Sequence, residues 1–240
     1  MRAVWRFCKV WTRRFPDPII DHMKKVLIAA LVLLVMTACQ SGRDQSQAID
    51  ESRALLILIQ SERNALIATE NSAFSDLTDL SLPQSYYSYL DTLPQFSSLL
   101  GDYLESIAQV LTAATAEAVD WLFSYIDTMQ VDNVTSYYER GYASLTEELM
   151  QQCSSDVMDI YLSQLEDNAQ QISRSYALLE REARIWRENL AALDLVGQGV
   201  DIPPVESFTA QQIATWATDR FFNTLSENEI VQRGRLMGTL

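Results

Sequence analysis

The chain has 240 residues, a formal net charge of −14, seven glycines, three cysteines and a single histidine. Residues 1–38 carry seven basic and two acidic groups, so from Cys39 onward the charge deepens to −19 and every cation is an arginine. So acidic a surface repels nucleic-acid phosphates and sets DNA and RNA aside as partners.

Residues 1–22 hold Trp5, Trp11, Asp17 and Asp21 among five basic residues, a poor match to the start of an export signal. Met23 therefore reads as the true initiator and 1–22 as a misassigned N-terminal extension. Residues 23–38 read as a lipoprotein signal peptide. Lys24 and Lys25 form its basic end, and Val26–Met36 is an apolar run too short to span a bilayer permanently. Thr37 and Ala38 are small, and Cys39 stands where the apolar run stops. The sequence Met36-Thr-Ala-Cys39 resembles the bacterial lipobox, with methionine at its aliphatic position. The resemblance implies cleavage between Ala38 and Cys39, a diacylglyceryl thioether on the Cys39 sulfur and an acyl group on its amino nitrogen. The membrane is then the first partner, through the lipid on Cys39, and the location is the periplasmic face of the cell envelope. Gln40, where an aspartate would favour the inner membrane, points to the outer one. Residues 39–48 are polar and serve as a tether.

Residues 49–240 read as one all-helical domain. Ile49–Thr69 is a first helix, apolar over Ala54–Ile59 and extended to helical length by Glu51, Arg53, Glu62 and Arg63. Residues 70–82 form a loop, and Pro83 and Pro94 suit first helical turns. From Pro94 the clearest helix runs to Met129. Its stripe of Phe96, Leu100, Tyr103, Ile107, Leu111, Ala114, Ala118, Leu122, Tyr125 and Met129 steps by three or four without a break. Asp132 caps a short helix that Gly141 closes, and Ser144 with Glu147 forms a capping box. Helical pattern then reaches about Leu195, with a break near Asp167-Asn168 and a Glu180–Arg184 pair one turn apart. Gly197, Gly199, Pro203 and Pro204 mark a late loop. Capping boxes at Thr209–Gln212 and Ser226–Glu229 start two final helices. Strand signals are almost absent.

Chemistry is sparse. His22 precedes Cys39, so the domain lacks the commonest general base and zinc ligand, and no Glu-x-x-His pair exists for a di-iron bundle. No glycine-rich phosphate loop occurs. Catalytic residues, metal ligands and cofactors are therefore predicted as none. Cys8 lies in the leader and Cys39 is blocked by lipid, which leaves Cys153 alone, at helical spacing from Leu149 and Val157, as a buried thiol. Glu147–Glu148, Glu166–Asp167 and Glu180/Glu182 are the acid pairs that a carboxylate enzyme or a cation could use, and each reads first as a solvated helix face. Arg181, Arg184 and Arg187 interleave with Glu180, Glu182 and Glu188 as a salt-bridged surface.

Two stretches, from about Phe96 to Glu166 and from Val205 to Glu229, carry a family likeness. The long helix ending in Ile126-Asp-Thr-Met129, then Asp132, Arg140-Gly141 and Ser144-Leu-Thr146, and the paired Phe221-Phe222 resemble a bacterial exported family, domain of unknown function four-one-nine-seven. Ser144-Leu145 departs from that family's alanine pair. The resemblance implies an all-helical periplasmic or lipid-anchored protein and no catalytic residue. The expectation is an all-α, single helical-bundle-like domain of about five to seven helices behind a cleaved lipoprotein signal peptide. Its expected role is a non-catalytic binding or envelope-assembly module with an envelope protein as partner. A carboxylate-based envelope hydrolase is the alternative.

Overall fold

The computed structural model describes residues 50–77, 80–193 and 202–238. The leader, Cys39, its tether and the Gly197/Gly199 segment lie outside the described residues. The chain divides into two units between Arg53 and Ala54, and the contacts below belong to the second.

Seven helices and no strand occur among the described residues, as expected of an all-α bundle. They are α1 (residues 50–72), α2 (Gln84–Thr92), α3 (Phe96–Thr128), α4 (Val134–Arg140), α5 (Ser144–Asp167), α6 (Ala169–Leu193) and α7 (Ala210–Met237). Among these, no helix is long and apolar enough to cross a membrane.

The organising element is α3. Phe96, Leu100, Tyr103, Ile107, Leu111, Ala114, Ala118 and Leu122 of its predicted stripe are buried, and Tyr125 and Met129 are half-buried. Ser106, Val110, Thr115, Val119 and Ile126 are buried beside them. That widens the stripe beyond what one neighbour can cover, and α3 packs on both α5 and α6. The two run in succession antiparallel to it. From α5, Tyr161 meets Thr115 at 3.0 Å and Gln164 donates to Glu117; from α6, Gln171 donates to Gln109 and Glu182 accepts from Gln95. Asn168 makes the break between them: its amide side chain donates to the Gln164 carbonyl at 2.8 Å, competing with helical bonding there. α7 lies antiparallel to α5 and closes the core with Ala217, Phe221, Phe222 and Leu225.

Several boundaries differ from their sequence signals. The cap of α4 is Asn133 rather than Asp132, because the Asn133 side chain itself accepts from the Ser136 N–H. Ser144 is the first residue of α5, after the N-cap Ala143, and its hydroxyl donates to the Tyr137 carbonyl instead of closing a box with Glu147. Pro83 stands one residue before α2, and Pro94 two before α3. The first helix runs on to residue 72. Thr209 and Gln212 do form their capping box. Ser226 begins no helix, because Phe221, Phe222 and Leu225 continue one buried stripe through it and α7 runs unbroken. One helix therefore ends the described chain where two were expected. On α6 the one-turn ion pair is Arg184–Glu188, not Glu180–Arg184.

Candidate functional site

Charged side chains meet inside the bundle where α1, α5 and α7 converge. On α1 the buried positions are Leu58, Ser61, Glu62, Ala65, Leu66 and Thr69, so Glu62 sits in the middle of the inward stripe. On α7 the buried stripe continues from Leu225 through Glu229 to Arg233. Glu62, Glu229 and Arg233 are each fully buried (0 % exposed), out of reach of bulk solvent.

Glu229 caps another helix across the bundle. Its carboxylate accepts the Thr146 N–H at 2.9 Å and the Leu145 N–H at 3.4 Å, two of the orphan donors at the start of α5. Arg233, one turn further along α7, donates to Glu229 and also to the Gly141 carbonyl at 2.8 Å and the Ser144 hydroxyl at 3.0 Å. Gly141 holds that carbonyl with φ +116°, a region closed to residues with a Cβ. Glu62 receives less. The Thr146 hydroxyl donates to it at 3.2 and 3.4 Å, and Glu229 is its hydrogen-bonding neighbour.

These environments separate the two acids. Burial, and then the Glu229 charge, hold the Glu62 carboxyl well above the usual carboxylate range. Burial raises Glu229 too, but Arg233 and the α5 N–H groups oppose it. Arg233 faces two carboxyls, which favours a proton on the pair, and Glu62, with the weaker set of donors, is the better place for it. The pair has no exposed surface, and two surface grooves, of about 470 and 310 Å³, are lined by other residues, the first along Thr209–Asp219 and the second beside Pro94 and Trp186.

A second polar arrangement lies where the chain enters α7. Residues 202–209 have no regular secondary structure; Ile202 and Val205 are buried and Phe208 is half-buried, with exposed residues between them. Every third residue faces inward, the period of an extended polyproline-type chain. Tyr86 donates to the Glu206 carbonyl at 2.6 Å, Tyr89 to Pro203 at 2.7 Å and Tyr176 to Val205 at 2.9 Å. Phe96 stacks on Tyr89, and Phe208 on Tyr103. Burial raises the phenol of Tyr103 to about 12 and pushes Tyr86 further up, so both phenols are neutral and Tyr86 keeps the proton it donates.

The acids singled out from sequence lie elsewhere. Glu147, Glu166 and Asp167 are exposed; Glu148, Glu180 and Glu182 are half-buried, with Glu148 taken by Arg140 and Glu182 by Arg181. Cys153 is fully buried, and burial lifts its thiol to about 11, the inert character expected of it. Among the described residues, no group of three or more histidine, cysteine or acidic side chains is placed to hold a metal ion. The site residues that sequence reasoning passed over are Glu62, read as a charged flank, and Glu229, read as a cap of its own helix. Their signal was phase: each falls on the i, i+4 line of apolar residues, Leu58–Glu62–Leu66 and Phe221–Leu225–Glu229. Comparison with protein families, curated proteins and solved structures finds no match to this chain.

Proposed function

We propose that this protein is a lipid-anchored component of a bacterial cell envelope, acting as a non-catalytic binding or assembly module on the periplasmic face. The observation that carries the reading is Cys39, placed directly after a basic pair, an apolar run and two small residues. Acyl chains contribute about 0.8 kcal/mol per buried methylene, so two or three together anchor the chain durably. Gln40 favours the outer membrane.

The fold supports the non-catalytic half of the proposal in a specific way. An acid–base enzyme needs two carboxyls with separated proton affinities facing a substrate. Glu62 and Glu229 have the separation, but they are closed off by α1, α5 and α7 and their donors are already committed to the protein.

Metabolic labelling with a fatty acid tests the anchor. The wild-type chain should take up label and sediment with membranes. Cys39→Ser should lose the label and accumulate as unprocessed precursor. Absence of label on the wild type would overturn the proposal.

A further inference from the structure

The buried acid pair sits at a boundary within the molecule. Ala65, Leu66, Ala73 and Phe74, from the second half of α1 and just beyond it, belong to the main core. The first half belongs to a separate small cluster, in which Leu58 packs with Tyr137 of α4 and Leu145 of α5. Besides Leu58, this half is held down by half-buried Ile59, which packs against both this cluster and the main core, by the Tyr138 hydroxyl donating to the Ala54 carbonyl at 2.8 Å, and by the Glu62 carboxyl. Among the described residues, Leu58 is the one fully buried apolar side chain of this half, and an ionisable group sits at its base.

We propose that the Glu62–Glu229–Arg233 node is a proton-operated latch, which keeps residues 54–62 and α4 docked on α5 and α7 while Glu62 is protonated and loosens them as the proton is lost. Among the described residues, the charged groups acting on Glu62 are both on α7: Glu229, which repels its charged form, and Arg233, which attracts it. The face of α5 offers the Thr146 hydroxyl, and α4 places Tyr138 against the Arg233 guanidinium, 5.6 Å from the ring centre. Arg233 is already engaged by Glu229, Gly141 and Ser144. Among the described residues, no second cation neutralises Glu62 once its proton leaves, and the ionised pair then holds two negative charges against one positive. Opening of this end hydrates both acids and relieves the repulsion.

The sign follows from linkage. Glu62 binds its proton more tightly in the docked state than when hydrated. Docking is therefore fully favoured below the ordinary carboxylate range and weakens as pH rises toward the raised value. One proton released on opening makes the opening constant grow about tenfold per pH unit across that interval. A periplasmic domain meets such changes directly, because acidification outside the cell reaches it without a buffered cytosol between.

Hydrogen exchange by mass spectrometry, corrected for intrinsic rates, reads this on the full-length protein and on Glu62→Gln, whose amide imitates the neutral acid. The wild type should lose protection over 54–62 and 134–140 by about tenfold per pH unit from about pH 5 upward, while the main core keeps its own. The Gln variant should stay level. Infrared spectroscopy at neutral pH should show a protonated carboxyl stretch in the wild type that vanishes in Glu62→Gln. Equal pH slopes in the two proteins, or no acid stretch in the folded wild type, would overturn the latch. If Glu62→Gln does not fold, the infrared band and the wild-type slope still decide.

Discussion

α7 connects two places where the bundle buries polar groups, and they do so by opposite means. At its start, Tyr86, Tyr89 and Tyr176 each pair a neutral hydroxyl with a backbone carbonyl of residues 203–206. Near its end, Glu62, Glu229 and Arg233 bury ionisable groups that depend on one another. The first arrangement is modular, since each phenol satisfies a different carbonyl and none needs its neighbour. The second is collective, because Arg233 balances Glu229, Glu229 caps α5, and Thr146 joins both acids. A neutral hydrogen bond contributes about 0.5–1.5 kcal/mol, whereas stranding a buried charge costs several times that.

The largest expected effect tests the collective end. Arg233→Ala leaves Glu229 buried without its cation and the Gly141 carbonyl without a donor. It should lower unfolding free energy by about 3–5 kcal/mol in urea titration. Combining it with Glu229→Leu should add little, because each change already disables the same unit. Full additivity of the two would show the node to be a set of separate bonds and erase the contrast.

The modular end predicts smaller and independent losses. Tyr86→Phe and Tyr89→Phe should each cost about 1 kcal/mol and should sum when combined. Both phenols stay neutral below about pH 10, so the cost should not vary between pH 5 and 8, unlike that of any change at Glu62. The smallest effect belongs to the surface. Arg184–Glu188 is an exposed pair at 3.0 Å on α6, and Arg184→Ala should shift stability by no more than about 0.5 kcal/mol and less at high salt.

The legibility of the chain follows the same division. The 3.6-residue period of α3 was complete in the sequence, because one face of a long helix must be apolar wherever its neighbours come from. Thr209–Gln212 was legible for a related reason: both partners of that cap lie within four residues. The Ser144 and Ser226 signals had the same letters and failed. At α5 the orphan N–H groups are satisfied by Glu229, 83 residues away from Thr146, and a distant carboxylate displaced the local cap. At Ser226 the continuing apolar stripe outweighed a cap-like pattern.

Composition and periodicity determined the helical class, the long axis of the bundle, the break at Asn168 and the inert thiol of Cys153. Residues 23–39 alone frame the proposal of an envelope anchor. Only tertiary structure decided that Glu62 and Glu229 meet, that Arg233 serves them, and that tyrosines hold the 202–208 segment by its backbone. The reason is physical. Helix period and local caps are set by residues within a turn of one another, whereas the proton affinity of a carboxyl is set by what surrounds it, and here those surroundings come from three helices far apart in the chain.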